Sequence, residues 1–312
     1  MENIEIFIDR SIDRYVEFIE SNEGDMPSTF NDLDKLIRGF RPGQLTVVSG
    51  IPGVGKTAFV LSMLYGMGSK KYTRIEYIST ESKTDQIADR LIQIALNKDL
   101  KEIKRMTAQD FRNLCKQELK FGLFPLDISS SLQSIESYED IKDRIIKLAT
   151  IDLVECVCID SLQSLWLKDR KSLPNNKNAL GEIVYDLKKL ASDLNIHIIL
   201  VSNMMDPEIY SDYYQGRYFT KWMDQSGDDN ACSQFSDLFI LLDRPELYDI
   251  FEDSKGNDLR GYMKVNVVKN RNGETGKVNL RFRSGRVTEI EDIFRPSPIE
   301  HLNNAIDEDE PF

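Results

Sequence analysis

One run of eight residues, Gly50-Ile51-Pro52-Gly53-Val54-Gly55-Lys56-Thr57, constrains the fold more than any other stretch, because it fits the phosphate-binding P-loop pattern without a mismatch. Its glycines allow backbone N–H groups to turn inward around phosphate oxygens. Lys56 is placed to reach β- and γ-phosphates, and the Thr57 hydroxyl to ligate Mg²⁺. The flanks are those the motif requires. Before it, Leu45 to Val48 is a short apolar, β-branched run that reads as a buried strand, and from Ala58 to Met67 the chain reads as a helix. Strand, glycine loop and helix in that order predict an α/β fold. The expected nucleotide-binding set is Gly50, Pro52, Gly53, Val54, Gly55, Lys56, Thr57 and Ala58.

With 312 residues, 41% of them hydrophobic, the chain is long enough for one large α/β domain or two modest ones. No uninterrupted apolar stretch approaches the roughly 18 to 20 residues that span a bilayer. The acidic N-terminus also lacks the basic and apolar regions of a signal peptide, so the expectation is a cytoplasmic protein without a membrane partner. Cys115, Cys156, Cys158 and Cys232 form no Cys-x-x-Cys pair; they are expected to be reduced, mostly buried thiols, with neither zinc nor a disulfide framework. A formal net charge of −12 works against nucleic-acid binding, which depends on Lys and Arg contacts to phosphate, yet leaves room for a local basic channel. Part of the acidic excess lies in Asp307-Glu308-Asp309-Glu310, within a weakly structured tail from 295 to 312. That acidic run reads as a solvated terminus, with a partner-binding tail as the alternative.

Between Ile4 and Ile19 the apolar positions Ile8, Ile12, Val16 and Ile19 recur at helical spacing, giving an amphipathic helix and linker over 1–25. Periodicity does not separate packing on the chain's own core from packing on a neighbour. The main domain is expected over 26–294. Ile75 to Ser79 is a strand followed by Glu81, which would share the P-loop crevice, since ligands collect at the carboxyl ends of parallel strands. There a glutamate can orient or deprotonate a water. Thr84 to Glu118 is rich in helix formers, with Ile87, Leu91, Ile94 and Ala95 on one face; Leu123 to Ile128 reads as a strand and Tyr138 to Leu148 as a helix. Val154 to Asp160 is an apolar run closed by an acid, the form of a Walker B strand, placing Asp160 as a second Mg²⁺ residue beside Thr57.

Lys168 to Asn178 reads as a basic loop, Glu182 to Leu194 as a helix and Ile196 to Val201 as a strand ending near Asn203, a candidate γ-phosphate sensor. His197, inside that strand, reads as a satisfied core residue. Met204 to Asn230 has no periodic apolar pattern and combines Arg217, Lys221, Trp222 and the Ser226-Gly227 pair, a composition suited to phosphate contacts and base stacking as well as to a surface loop. Leu238 to Leu242, Met263 to Val268 and Val278 to Phe282 read as strands, the last two forming a hairpin with a polar tip. Lys269 and Arg271 at that tip suit an arginine-finger role toward another subunit's γ-phosphate, or an ordinary charged hairpin.

In this order the parts resemble the C-terminal ATPase domain of DnaB-type replicative helicases. Ser28 to Gly43 resembles that family's Thr/Ser-x-Phe-x-x-Leu-Asp run and Gly-x-x-Pro-Gly turn. Glu81 matches its catalytic glutamate, Asp160 with Leu162-Gln163 its Asp-Tyr-Leu-Gln segment, and Lys269-Asn270-Arg271-Asn272-Gly273 its Lys-x-Arg-Asn-Gly motif. Ile4 to Ile19 resembles its subunit-linking helix. The resemblance implies a RecA-like P-loop NTPase fold, a mostly parallel twisted sheet flanked by helices with a C-terminal antiparallel hairpin. It also implies a ring, a hexamer, hydrolysing ATP with Mg²⁺ at subunit interfaces and holding single-stranded DNA in its channel. Lys56, Glu81, Lys269 and Arg271 would then be catalytic.

Three departures bear on function. The family's N-terminal helical domain is not expected within these residues, so loader and primase contacts do not carry over. Asn203 stands where the family has Gln, and Asp224-Gln225 where it has Arg-Glu, the arginine being a DNA-backbone contact. The acidic charge and Asp224 keep open a DnaB-like ATPase that regulates or assembles without unwinding, and the shared core keeps open a recombinase-like filament ATPase.

Overall fold

The computed structural model describes residues 26–71, 73–98, 100–118, 126–130, 137–169, 179–203, 228–253 and 255–290, together with Ile8, Ile12, Asp13 and Val16. In chain order the elements are α1 (Asn31–Ile37), β1 (Leu45–Gly50), α2 (Lys56–Lys71), β2 (Ile75–Ser79), α3 (Thr84–Leu96), α4 (Leu100–Lys104), α5 (Ala108–Glu118), β3 (Leu126–Ser130), α6 (Tyr138–Thr150), β4 (Cys156–Asp160), α7 (Leu162–Asp169), α8 (Ala179–Leu194), β5 (His197–Asn203), α9 (Asp228–Phe235), β6 (Leu238–Asp243), β7 (Tyr262–Asn270), β8 (Gly276–Arg283) and β9 (Arg286–Glu289).

The strands form one sheet in the order β3-β2-β4-β5-β1-β6-β7-β8-β9. β3 through β6 in that order are parallel, and β7, β8 and β9 extend the sheet antiparallel. β1, β2, β4 and β6 are buried along their whole length, which is why each reads as a continuous apolar run instead of alternating. Two apolar layers cover the sheet. One gathers Leu33 of α1, Phe59 and Leu64 of α2 and Ile87 of α3; the other gathers Ile141 of α6, Leu165 of α7, Leu187 of α8 and Cys232 of α9. Burial at this scale stabilises by about 25 cal/mol per Å² of apolar surface. It also leaves the four cysteines buried as free thiols.

Where sequence and structure differ, local chemistry explains it. The segment from Thr84 to Glu118, rich in helix formers, divides into three helices: Asn97 adopts a left-handed conformation that ends α3, and the Thr107 hydroxyl accepts from Asp110 N to start α5. β3 begins at Leu126 and runs to Ser130, later than expected, because it is registered against β2 from Ile75↔Leu126 to Ser79↔Ser130 at the sheet's edge; 123–125 lie outside the described residues. Asp228 to Asn230, assigned to a loop by composition, open α9. That helix is short and polar, with the Cys232 side chain fully buried, so it leaves little periodic signal. Ile8, Ile12 and Val16 are helical and exposed, so this stripe is not buried against the described residues of its own chain.

His197 is a satisfied core residue. Its Nδ1 lies 2.8 Å from the Arg41 carbonyl, which can only accept, so Nδ1 carries the proton and Nε2 accepts from Thr46 Oγ1 at 3.0 Å. Burial pushes its pKa down to about 4.

Candidate active site

The strand order makes the site. β2, β4, β5 and β1 are neighbours and parallel, so Glu81, Asp160, Asn203 and the P-loop all leave the sheet at its carboxyl end. Gly50 is in register with Asn203, and Ser79 with Asp160. Within the loop, Gly53 takes φ +80° and Gly55 φ +103°, conformations that side chains rarely adopt. A Cβ on Gly55 would also lie 2.8 Å from the Phe282 ring, whose face is covered by the Arg244 guanidinium at 3.8 Å. Val54 and Ala58 are buried, while Pro52 and Gly53 are exposed at the loop's rim.

Lys56 is buried, and its Nζ donates to the Gly50 and Ile51 carbonyls at 2.8 and 2.9 Å. Desolvation lowers its pKa to about 8 against the opposing pull of the Asp160 and Glu81 carboxylates. Asp160 is itself buried, which raises its pKa; the Tyr77 and Thr57 hydroxyls act against that, donating to its Oδ2 at 2.6 and 2.7 Å. Thr57 and Asp160 thus present hard oxygen donors side by side, with Asp160 a buried carboxylate in need of positive charge. This donor set fits Mg²⁺, which takes one or two protein oxygens and completes its octahedron with water and phosphate.

Glu81 stands at the solvent side of the same crevice. Its Oε1 accepts from Ser161 Oγ and from Ser164 Oγ, the latter at 3.1 Å. The backbone beneath is cross-stitched: Thr80 N donates to Asp160 O, and Ser161 N donates to Thr80 Oγ1 at 2.7 Å. Asn203 is held by Gln163, whose Oε1 accepts from Asn203 N at 2.8 Å and whose Nε2 donates to Asn203 O at 3.1 Å.

The hairpin cations lie elsewhere. β7 runs antiparallel to β6, pairing Lys269 with Phe239 and Asn270 with Leu238, while Leu238 pairs with Thr46 near the start of β1. From Thr46 to the P-loop is about 13 Å of strand at ~3.3 Å per residue. Lys269 and Arg271 therefore sit at the end of the sheet away from their own P-loop. Lys269 Nζ donates to the Ser233 and Gln234 carbonyls at the end of α9, at 2.6 and 2.9 Å. Burial, then the nearby Arg271 charge, lowers its pKa to about 8. Arg271 is half-exposed and donates to Asp237 Oδ1 at 3.3 Å. Asp237 is the hub of this end: its Oδ2 also accepts from Leu45 N at 2.9 Å and Lys188 Nζ at 2.7 Å.

The structure therefore brings Lys56, Thr57, Glu81, Asp160 and Asn203 together and keeps Lys269 and Arg271 apart from them. Arg217, Lys221, Trp222, Ser226 and Gly227 lie outside the described residues. Tyr77, Ser161, Ser164 and Asp237 did not emerge from sequence reasoning. Serines directly after a Walker B acid carried the only available signal.

A P-loop on the central strand of a mostly parallel sheet, with an acid at the tip of a nearby strand, defines a RecA-like P-loop domain. The family assignment is sharper. This chain belongs to the DnaB-like helicase C-terminal domain family, whose model matches residues 25–292. It is similar to the replicative DNA helicase DnaB of Geobacillus stearothermophilus, 24% identical over 86% of this chain and 57% of the relative. The replicative DNA helicase DnaC of Bacillus subtilis (strain 168) matches with the same identity and the same shares. The chain thus spans somewhat more than half the length of these relatives. Among solved structures, an isolated ATPase domain aligns with a TM-score of 0.72 at 23% identity, over 91% of this chain and 99% of that one. A structure of a DnaB-like replicative helicase and its interactions with primase aligns with a TM-score of 0.69 at 22% identity, over 91% and 67%.

Proposed function

We propose that this chain is the motor part of a ring-forming, ATP-hydrolysing DNA helicase or translocase, a hexamer acting on single-stranded DNA during replication in the cytoplasm. The observation that carries this reading is the separation of the nucleotide end of the sheet from the hairpin cations. A chain whose P-loop and finger lie at opposite ends has a complete site only where a second copy docks. The exposed stripe of Ile8, Ile12 and Val16 supports contact with such a neighbour. Among the described residues no helix is long and apolar enough to cross a membrane.

In this reading the P-loop N–H groups and Lys56 hold the β- and γ-phosphates, while Thr57 and Asp160 hold Mg²⁺. The metal supplies charge neutralisation on the β- and γ-phosphate oxygens. Asn203, beside Gly50, senses the γ-phosphate. Glu81 takes a proton from the attacking water as that oxygen bonds to the γ-phosphorus; the bond to the β–γ bridging oxygen breaks, and ADP leaves with the electron pair. Lys269 and Arg271 of one copy reach the γ-phosphate of the next. Arg217, Lys221, Trp222, Ser226 and Gly227 are proposed to contact DNA by charge and stacking.

The family match supports this reading over a filament recombinase or a non-unwinding ATPase. ATPase rates with and without single-stranded DNA, together with fork unwinding at low and moderate salt, test it. Stimulation by DNA and salt-dependent binding are expected; hydrolysis indifferent to DNA with no salt-dependent binding overturns it.

A further inference from the structure

Two serines converge on the carboxylate assigned above as the base, and both bond the same oxygen. Ser161 lies just before α7 and Ser164 in its first turn, so their hydroxyls approach Glu81 Oε1 from one rigid element. That element is itself fixed. Leu162 and Leu165 are fully buried in the core, Gln163 grips the β5 tip through Ser202 Oγ at 3.0 Å as well as Asn203, and Ser161 is tied by its amide to Thr80, the residue before Glu81. Glu81 otherwise projects from an exposed loop position, where a glutamate side chain would sample several rotamers.

A carboxylate anchored by two donors on one oxygen loses rotation about its terminal bond, and its second oxygen then points in one direction. Oε1 is occupied by the hydroxyls, which leaves Oε2 as the oxygen that meets the water. The charges facing this carboxylate across the crevice are the Lys56 ammonium and the Asp160 carboxylate. Lys56 attracts Glu81 and Asp160 repels it, and it is the two serine hydroxyls that bond Oε1.

We infer that Ser161 and Ser164 are positioning residues for hydrolysis: together they clamp Glu81 through Oε1 so that Oε2 is held ready to accept the water's proton. The inference rests on the reading of Glu81 as the base. It places the serines in turnover and not in nucleotide capture, because they touch Glu81 and neither the P-loop lysine nor Thr57.

The test is a double-mutant cycle on the full chain, measuring kcat, KM and the dissociation constant of a fluorescent, non-hydrolysable ATP analogue with Mg²⁺. The Ser161→Ala/Ser164→Ala variant is expected to lose roughly ten- to hundredfold in kcat with analogue affinity unchanged. Ser161→Thr/Ser164→Thr, which keeps both hydroxyls, should recover most of that loss. In a Glu81→Gln background the alanine pair should cost nothing further, since the group it positions is gone. An unchanged or raised kcat in the alanine pair, lost analogue affinity, failure of threonine to rescue, or full additivity with Glu81→Gln would each overturn the clamp. Failure of the underlying reading looks different: Glu81→Gln alone would then keep near-normal turnover.

Discussion

The two ends of the sheet treat their charged side chains in opposite ways. At the carboxyl end, Lys56 and Thr57 follow β1, Asp160 ends β4 and Glu81 follows β2, three parallel strands of one sheet, and they face one another across a crevice. At the hairpin end, Lys269 and Arg271 are bonded to their own subunit, to the last carbonyls of α9 and to Asp237. The first arrangement is a pocket whose groups are paired but incomplete in positive charge. The second is a pair of cations beside a buried acid, with Arg271 half-exposed and bonded to Asp237 and Lys269 bonded to the α9 carbonyls. In the proposed reading each end supplies what the other lacks, the cations of one copy meeting the P-loop of a second. That contrast is more specific than the P-loop, which many unrelated nucleotide-binding folds share.

The largest effects should fall on the two ends in different observables. Arg271→Ala should reduce ATP turnover by roughly a thousandfold or more while leaving nucleotide affinity within about threefold of the parent. Lys56→Ala should instead weaken nucleotide binding itself, by about a hundredfold or more, because the loop loses its buried ammonium. Titration with a fluorescent nucleotide alongside a phosphate-release assay separates the two. If Arg271→Ala lost binding as severely as Lys56→Ala, the contrast between the ends would collapse.

A smaller effect concerns the strand that links them. His197 packs beside β1 with its imidazole held neutral, its pKa about 4 against an ordinary 6.5. A depressed folded-state value means that the unfolded chain binds the proton first. Stability is then present above pH 6.5 and is lost as pH falls toward 4. Between pH 7 and pH 5 the loss from this one group is about 2 kcal/mol. Chemical denaturation at the two pH values should show it, and His197→Gln, which cannot take up the proton, should remove most of the difference.

Tyr77→Phe should produce the mildest change. Losing the hydroxyl that holds Asp160 Oδ2 should raise the Mg²⁺ concentration needed for half-maximal nucleotide binding by about three- to tenfold. The fold should survive, since the ring still fills its buried place beneath the sheet. A Mg²⁺ requirement that did not move would show that Thr57 alone sets the carboxylate.

Much of this was legible in the sequence because the signals are local. A glycine loop between an apolar run and a helix, an acid closing a buried strand, and a basic hairpin tip each announce themselves within about ten residues. Tyr77 does not: an aromatic residue in a fully buried strand reads as core, and only the register of β2 against β4 shows that its hydroxyl reaches Asp160. Asp237 is similarly silent, because its partners Leu45, Lys188 and Arg271 come from three elements distant in sequence. The placement of Lys269 and Arg271 at the far end of β1 depends on strand order as well, which no local pattern fixes.

The most direct test of the central claim, that each nucleotide site is completed by a second copy, is a mixing experiment. Arg271→Ala and Lys56→Ala are each expected to be inactive alone. Mixed under assembling conditions, the intact finger of one should meet the intact P-loop of the other, and ATP turnover should reappear well above the sum of the separate variants. A mixture that stays as inactive as its components, although the two variants co-assemble, would contradict the account.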